Sequence, residues 1–107
     1  MQYARDIVIV GGVRTAQGKF KGSLFNVSAV DLGAMAISAT LEQIGLDAEM
    51  IDEVIMGNVL SAGIGQHPAR QAALKSGIPA DVPALTINKM CGSSMKAIMI
   101  AGNAIRA

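Results

Sequence analysis

The sequence holds a single cysteine, a single histidine and no tryptophan. One cysteine excludes a disulfide framework, and one cysteine with one histidine leaves too few ligands for a structural zinc site, so no metal is expected. Aromatics are equally scarce, with one tyrosine and two phenylalanines, which leaves little on which bases could stack. Nine basic residues against eight acidic ones give a formal net charge of +1, too even a balance for a nucleic-acid module. Charged residues make up only 16% and apolar residues 51%, the wrong composition for a disordered tail. Long hydrophobic runs are also missing. Ile7-Val8-Ile9-Val10 is too short for a signal-peptide core and leads directly into Gly11-Gly12. The stretch from Met95 to Ile105 is interrupted by Lys96 and Asn103 and falls short of a bilayer span. These absences leave one soluble globular domain of 107 residues, or part of a larger one, with no membrane partner. The lone thiol suits a reducing cytoplasm.

What is present is an alternation of short β-rich runs with helical patterns. Asp6 to Val10 reads as a buried strand closed by glycines, followed by a loop from Val13 to Asn26. Ser28 and Asp31 form a capping-box-like start, and Val30, Ala34, Ile37, Leu41 and Ile44 recur on one helical face up to Gly45. Val54 to Leu60 is a second strand, and Ser61 to His67 a glycine-bearing loop. Pro68 then opens a helix ending near Gly77. Ala84 to Asn88 is a third strand, and Cys91-Gly92-Ser93-Ser94 turns into a last helix. The order β-α-β-α-β-α predicts an α/β layered fold with a mainly parallel sheet. There is no internal repeat or low-complexity segment.

The last helix sends a second message. Met95, Ile98, Met99, Gly102 and Ile105 line one side, while Ile100, Ala101 and Ala104 make the other side apolar too. A helix apolar all round is expected inside a larger body. With no capping glycine before the sequence stops at Ala107, the pattern predicts the front part of a longer protein.

Cys91 is the candidate for chemistry. A residue between a strand and a helix start sits near unpaired N–H groups and the positive end of the helix dipole, which together stabilise a thiolate. Gly92 leaves room for a substrate, Ser93 and Ser94 can cap the helix, and a strand–nucleophile–helix turn lifts a reactive atom above a sheet. A lone cysteine is nevertheless more commonly a small buried hydrophobe, and residue type alone leaves both roles open. Gly63-Ile64-Gly65-Gln66-His67-Pro68 partly matches a dinucleotide fingerprint, but Pro68 replaces the third glycine and no acidic residue follows at the required distance, which favours an ordinary strand-to-helix loop. His67, before a proline, is expected to be extended and near a helix cap, and nothing in the spacing pairs it with Cys91. Arg14, Lys19 and Lys21 read as a solvated surface, and Met90, Met95 and Met99 as core filling.

Three stretches carry a family resemblance. Ile87-Asn88-Lys89-Met90-Cys91-Gly92-Ser93-Ser94-Met95-Lys96-Ala97-Ile98 resembles the acyl-enzyme cysteine motif of the thiolases. Gly57-Asn58-Val59-Leu60, Gly63, Gly65-Gln66 and Pro68-Ala69-Arg70-Gln71-Ala72-Ala73 are similar to a second signature of that family. Ile9-Val10, Arg14-Thr15 and Gly18 resemble its opening strand and loop. The resemblance runs along essentially the whole chain and is nearest to the acetoacetyl-CoA-forming members. His67 stands where relatives usually show asparagine, and Ser94 where many show glycine.

The resemblance implies a partial thiolase N-terminal domain over residues 1–107, the first βαβαβα portion of a fold duplicated around buried helices. It implies that Cys91 is the nucleophile, taking an acyl group from acyl-CoA while its own N–H helps hold an oxyanion. The parent would condense two acetyl-CoA to acetoacetyl-CoA or run the reverse thiolysis, with coenzyme A thioesters as substrates and no further cofactor. The family's activating histidine and second cysteine belong to later motifs, and His67 does not match them, so the 107-residue chain alone is expected to be inactive. Relatives form homodimers or homotetramers, which would place Ala84 to Asn88 near the dimer interface. The rival expectations are a degradative 3-ketoacyl-CoA thiolase, a non-catalytic thiolase-like protein used for lipid binding or assembly, and an unstable structural remnant.

Overall fold

Local sequence rules set the first helix of the computed structural model, which describes residues 6–107. Ser28, in extended backbone, accepts the Asp31 N–H on its Oγ at 3.0 Å and starts α1 (Ala29–Ile44). Gly45 ends it at φ 64°. Its N–H bonds Glu42 O while that of Leu46 bonds Leu41 O, satisfying two carbonyls that a helix end leaves open. A short 3-10 turn (Ala48–Met50) leads to β1 (Val54–Gly57).

From β1 the chain crosses through α2 (Pro68–Lys75) into β2 (Ala84–Ile87), which pairs parallel with β1 from Val54↔Ala84 to Gly57↔Ile87. A parallel pair needs such a crossover, and the helix provides it. The core gathers under this unit. Val54, Ala73, Ile78 and Val82 are buried, and Ile37, Leu41, Met56 and Ala84 pack against them. Small residues let the helices approach closely: a Cβ on Gly33 of α1 would stand 3.3 Å from the Ala72 Cβ of α2. The last helix, α3 (Ser93–Arg106), lies against both strands and buries Ser93 and Ala97. No helix among the described residues is long and apolar enough to cross a membrane.

Two expectations require correction. No strand forms over the described residues Asp6 to Val10, and Val8, Ile9 and Val10 are 72%, 78% and 68% exposed. β-branched residues make a strand only where a neighbour completes the ladder, and none lies beside this segment among the described residues. Ile7 alone packs, its Cδ1 lying 3.6 Å from where a Cβ on Gly102 would stand. The described order is therefore α-β-α-β-α on a two-stranded parallel sheet. Both remaining strands are also shorter than the sequence suggests, ending at Gly57 and Ile87 rather than Leu60 and Asn88. One side of α3 is apolar and exposed, at Met95, Ile98, Met99 and Ile105.

Candidate active site

Cys91 is a free, exposed thiol in the turn between β2 and α3. The turn is short because it uses a left-handed residue: Met90 stands at φ 48°. A non-glycine residue in that region is uncommon and persists where surrounding bonds hold it. Those bonds come from Asn88 and Ser93. Asn88 accepts the Met90 N–H on Oδ1 at 3.0 Å and donates from Nδ2 to Val59 O at 3.3 Å. The Ser93 hydroxyl accepts the Lys89 N–H at 2.9 Å and donates to Met90 O at 2.7 Å. Backbone bonds from Gly92 N–H to Lys89 O and from Ser93 N–H to Met90 O complete the turn.

Among the described residues, the turn thus takes up the N–H groups of Lys89, Met90, Gly92 and Ser93 and leaves that of Cys91 out. Gly92 caps α3 with no side-chain hydrogen bond. The expected capping by Ser93 and Ser94 is not observed. Ser93 is buried and its hydroxyl faces back into the turn, because the strand end beneath it leaves no other room. A Cβ on Gly57 would stand 2.6 Å from the Ser93 Cβ and 2.9 Å from the Ser94 nitrogen. Only a residue without a side chain at the end of β1 lets α3 begin there. Next to it, the Asn58 N–H donates to Ile87 O at 2.9 Å and continues the parallel ladder toward the turn. An exposed sulfur, an uncommitted N–H on the same residue and the positive end of a helix dipole form an arrangement that can receive an electrophilic carbonyl and hold developing negative charge.

His67 is not part of that arrangement. It is the N-cap of α2, as expected, but in left-handed rather than extended conformation, at φ 50° and ψ 71°. Three hydrogen bonds outweigh the bias imposed by Pro68. Nε2 donates to Ala84 O at 3.0 Å, while Nδ1 accepts from the Thr86 hydroxyl at 2.9 Å and from the Arg70 N–H at 3.3 Å. A carbonyl can only accept, which fixes the proton on Nε2 and leaves Nδ1 as acceptor. The glycine loop before it is a strand-to-helix connector, with Gly63 and Gly65 at φ 76° and 83°. The Gln71 amide donates to Ile64 O at 3.1 Å and Gln66 O at 2.6 Å, so loop carbonyls face inward onto a side chain.

Arg14 bonds the neighbouring Thr15 carbonyl, and the Lys21 ammonium lies 5.6 Å from the Phe20 ring centre. Both residues are exposed, as a solvated surface requires. Met90 and Met95 are exposed rather than core filling. No group of three or more histidine, cysteine or acidic residues that could hold a metal ion occurs among the described residues. Two open depressions, of about 710 and 550 Å³, lie against α1 and the first loop, with Cys91 in neither lining. Sequence reading missed Gly57, Asn88 and Thr86. Gly57 and Asn88 fall inside the quoted motif stretches, but their roles depend on contacts that spacing does not reveal.

Comparison with known proteins places the chain in a family. Residues 7–107 match the family described as "Thiolase, N-terminal domain". The chain is 61% identical over 102 residues to an acetyl-CoA acetyltransferase of Cupriavidus necator, covering 95% of this chain and 26% of that protein. It is 54% identical over 103 residues to an acetyl-CoA acetyltransferase of Escherichia coli, covering 96% of this chain and 26% of the relative. A crystal structure of the Acat5 thiolase from Ascaris suum in complex with coenzyme A superposes with a TM-score of 0.92 at 44% identity, over 94% of this chain and 26% of that one. The sequence therefore spans about a quarter of the length of the relatives it matches.

Proposed function

This chain belongs to the thiolase family, whose N-terminal domain it matches over residues 7–107, and from that premise we propose that Cys91 is the acyl-accepting nucleophile of an acetyl-CoA acetyltransferase. The observation that carries the reading is the Cys91 turn, with an exposed sulfur, an N–H outside the turn's own hydrogen bonds and a helix N-terminus behind it. The relatives' names and the coenzyme A bound to the Ascaris suum protein support an acetyl thioester of coenzyme A as substrate.

In the first step the Cys91 sulfur bonds to the thioester carbonyl carbon. The carbonyl electrons move onto oxygen, where the Cys91 N–H meets them, and return as the bond to the coenzyme A sulfur breaks. The cysteine proton leaves with a base, and coenzyme A departs as its thiol. In the second, the α-carbon of another acetyl-CoA, having given up a proton, bonds to the acetyl carbon and displaces the Cys91 thiolate, giving acetoacetyl-CoA. The reverse sequence is thiolysis. Coenzyme A enters as substrate, and the scheme calls for no metal or prosthetic group.

His67 does not supply the base, because its two ring nitrogens serve Ala84, Thr86 and Arg70. The 107 residues alone therefore carry a nucleophile without its proton acceptor and turn over no substrate. In the whole protein we place the activity in the cytoplasm, in a homodimer or homotetramer with Ala84 to Asn88 near the subunit contact.

The test is the intact mass of the gene product carrying this sequence after incubation with acetyl-CoA. One acetyl group on the Cys91 peptide, lost in Cys91→Ser, is the expected result. No adduct, or an adduct that survives Cys91→Ser, overturns the reading. Turnover against acyl-chain length then separates an acetyl-specific enzyme from a degradative one.

A further inference from the structure

The even-numbered positions leading into the Cys91 turn are held one after another by the first turn of α2. Pro83 O accepts from Val54 at the start of β1 and Ile87 O from Asn58 just past its end, so along this stretch the odd-numbered carbonyls face the sheet and the even-numbered ones turn away from it. Arg70 donates to Ala80 O at 2.8 Å and Val82 O at 3.1 Å. His67 Nε2 donates to Ala84 O at 3.0 Å. The Thr86 hydroxyl accepts the Ala69 N–H at 3.0 Å and donates to His67 Nδ1 at 2.9 Å. The next even position is Asn88, whose side chain holds Met90 in its left-handed conformation directly before Cys91. His67 itself is held at positive φ by these bonds, a backbone state that a non-glycine residue keeps only where its surroundings over-determine it.

We propose that His67 and Thr86 are positioning residues for Cys91: the imidazole–hydroxyl pair fixes the outer edge of β2 to α2 and so sets where the Cys91 turn leaves the sheet. The proposal rests on the reading of Cys91 as nucleophile for its kinetic consequence, but not for its structural one. Neither side chain touches substrate. Both act through the β2 backbone and Asn88.

The experiment is backbone hydrogen exchange on the full-length gene product, together with the rate of Cys91 acetylation, for Thr86→Val, Thr86→Ser and His67→Gly. Valine keeps the shape of threonine but removes the hydroxyl, leaving the Ala69 N–H and His67 Nδ1 without their partner. Glycine tolerates the left-handed backbone and is accepted at a helix N-cap, but it has no side chain to span from Thr86 to Ala84. Both variants are expected to speed exchange over residues 88–93 by about tenfold while α1 exchanges as in the parent. The same loosening slows acetylation at saturating acetyl-CoA by about tenfold with KM unchanged, since misplacing a reacting group lowers rate without removing binding. Thr86→Ser, which keeps the hydroxyl, restores both. Unchanged exchange over 88–93, an equal rise in α1, or failure of serine to restore overturns the proposal. If the parent is never acetylated while the local exchange pattern holds, the positioning stands and the nucleophile assignment falls.

Discussion

The unit from β1 to the start of α3 and the segments flanking it are held in different ways. Between Val54 and Ser93 nearly every turn is fixed by a side chain placed for it: Gln71 for the glycine loop, His67 and Arg70 for the approach to β2, Asn88 and Ser93 for the Cys91 turn. Outside it, Val8 to Val10 and the Met95, Ile98 and Met99 side of α3 present apolar surface to solvent. The bracing of the Cys91 turn is local, made by bonds within about forty residues of sequence. The flanks carry residues whose usual reason for being apolar, burial, is not met among the described residues. The Cys91 turn is therefore braced within a domain whose flanks expose apolar surface among the described residues.

The largest effect expected on this contrast comes from Gly57→Ala. The added methyl would stand 2.6 Å from Ser93 Cβ and 2.9 Å from backbone at the start of α3. Backbone cannot swing aside as a side chain can, so overpacking of this kind costs about 1–3 kcal/mol or more and shifts the Cys91 turn with it. A lowered urea midpoint together with lost Cys91 acetylation is the expected outcome, and a wild-type midpoint would show that α3 is not seated on β1. Ser93→Ala comes next. It removes the side-chain partner of the Lys89 N–H and one of the two donors to the Met90 carbonyl, part-buried bonds worth about 0.5–1.5 kcal/mol each. Its signature is faster amide exchange at Lys89, with α1 unaffected.

Gly45→Ala tests the other region. Nothing stands within 4 Å of the new methyl, so its cost is that of a left-handed non-glycine residue, about 1–2 kcal/mol. Stability falls while the acetylation rate of Cys91 in the folded fraction stays that of the parent. A coupled loss of rate would show that the two regions are not independent.

The smallest effect is electrostatic. Asp31 meets Lys75 at 2.6 Å across α1 and α2, and the bonds from Lys75 and then Ser28 hold its carboxyl below the ordinary 3.8. A carboxyl depressed on folding contributes stability above its unfolded value and loses it as pH falls through the folded one. Asp31→Asn is therefore less stable at neutral pH, and the difference from the parent closes as the solution is acidified below the usual carboxylate range. Both side chains are well exposed, so the gap is small and shrinks with added salt. A gap that persists at low pH would assign it to the helix cap instead.

Much of this was legible in order. Ser28 and Gly45 bound α1 as read, because caps follow from the chemistry of one residue and its nearest neighbours. Pro68 opens α2, and the parallel α/β arrangement follows from the alternation of patterns. Cys91 could be singled out because a strand, a cysteine and a helix start follow one another. The segment Asp6 to Val10 misled because its β-branched run describes what it can do beside a neighbour, and propensity carries no information about whether that neighbour is there. His67 misled for a related reason. The bias of a residue before proline is local, and three bonds to residues 70, 84 and 86 override it.

The sequence by itself determined the helix boundaries, the alternating class of the fold and the turn that carries Cys91, because each depends on residues within a few positions of one another. Tertiary structure alone decided that Ser93 lies beneath that turn and not at the helix cap, that Gly57 must lack a side chain, and that His67 grips β2. Gly57 meets Ser93 and Ser94, and His67 meets Ala84 and Thr86, across 17 to 37 positions, and only packing in three dimensions brings such pairs into contact.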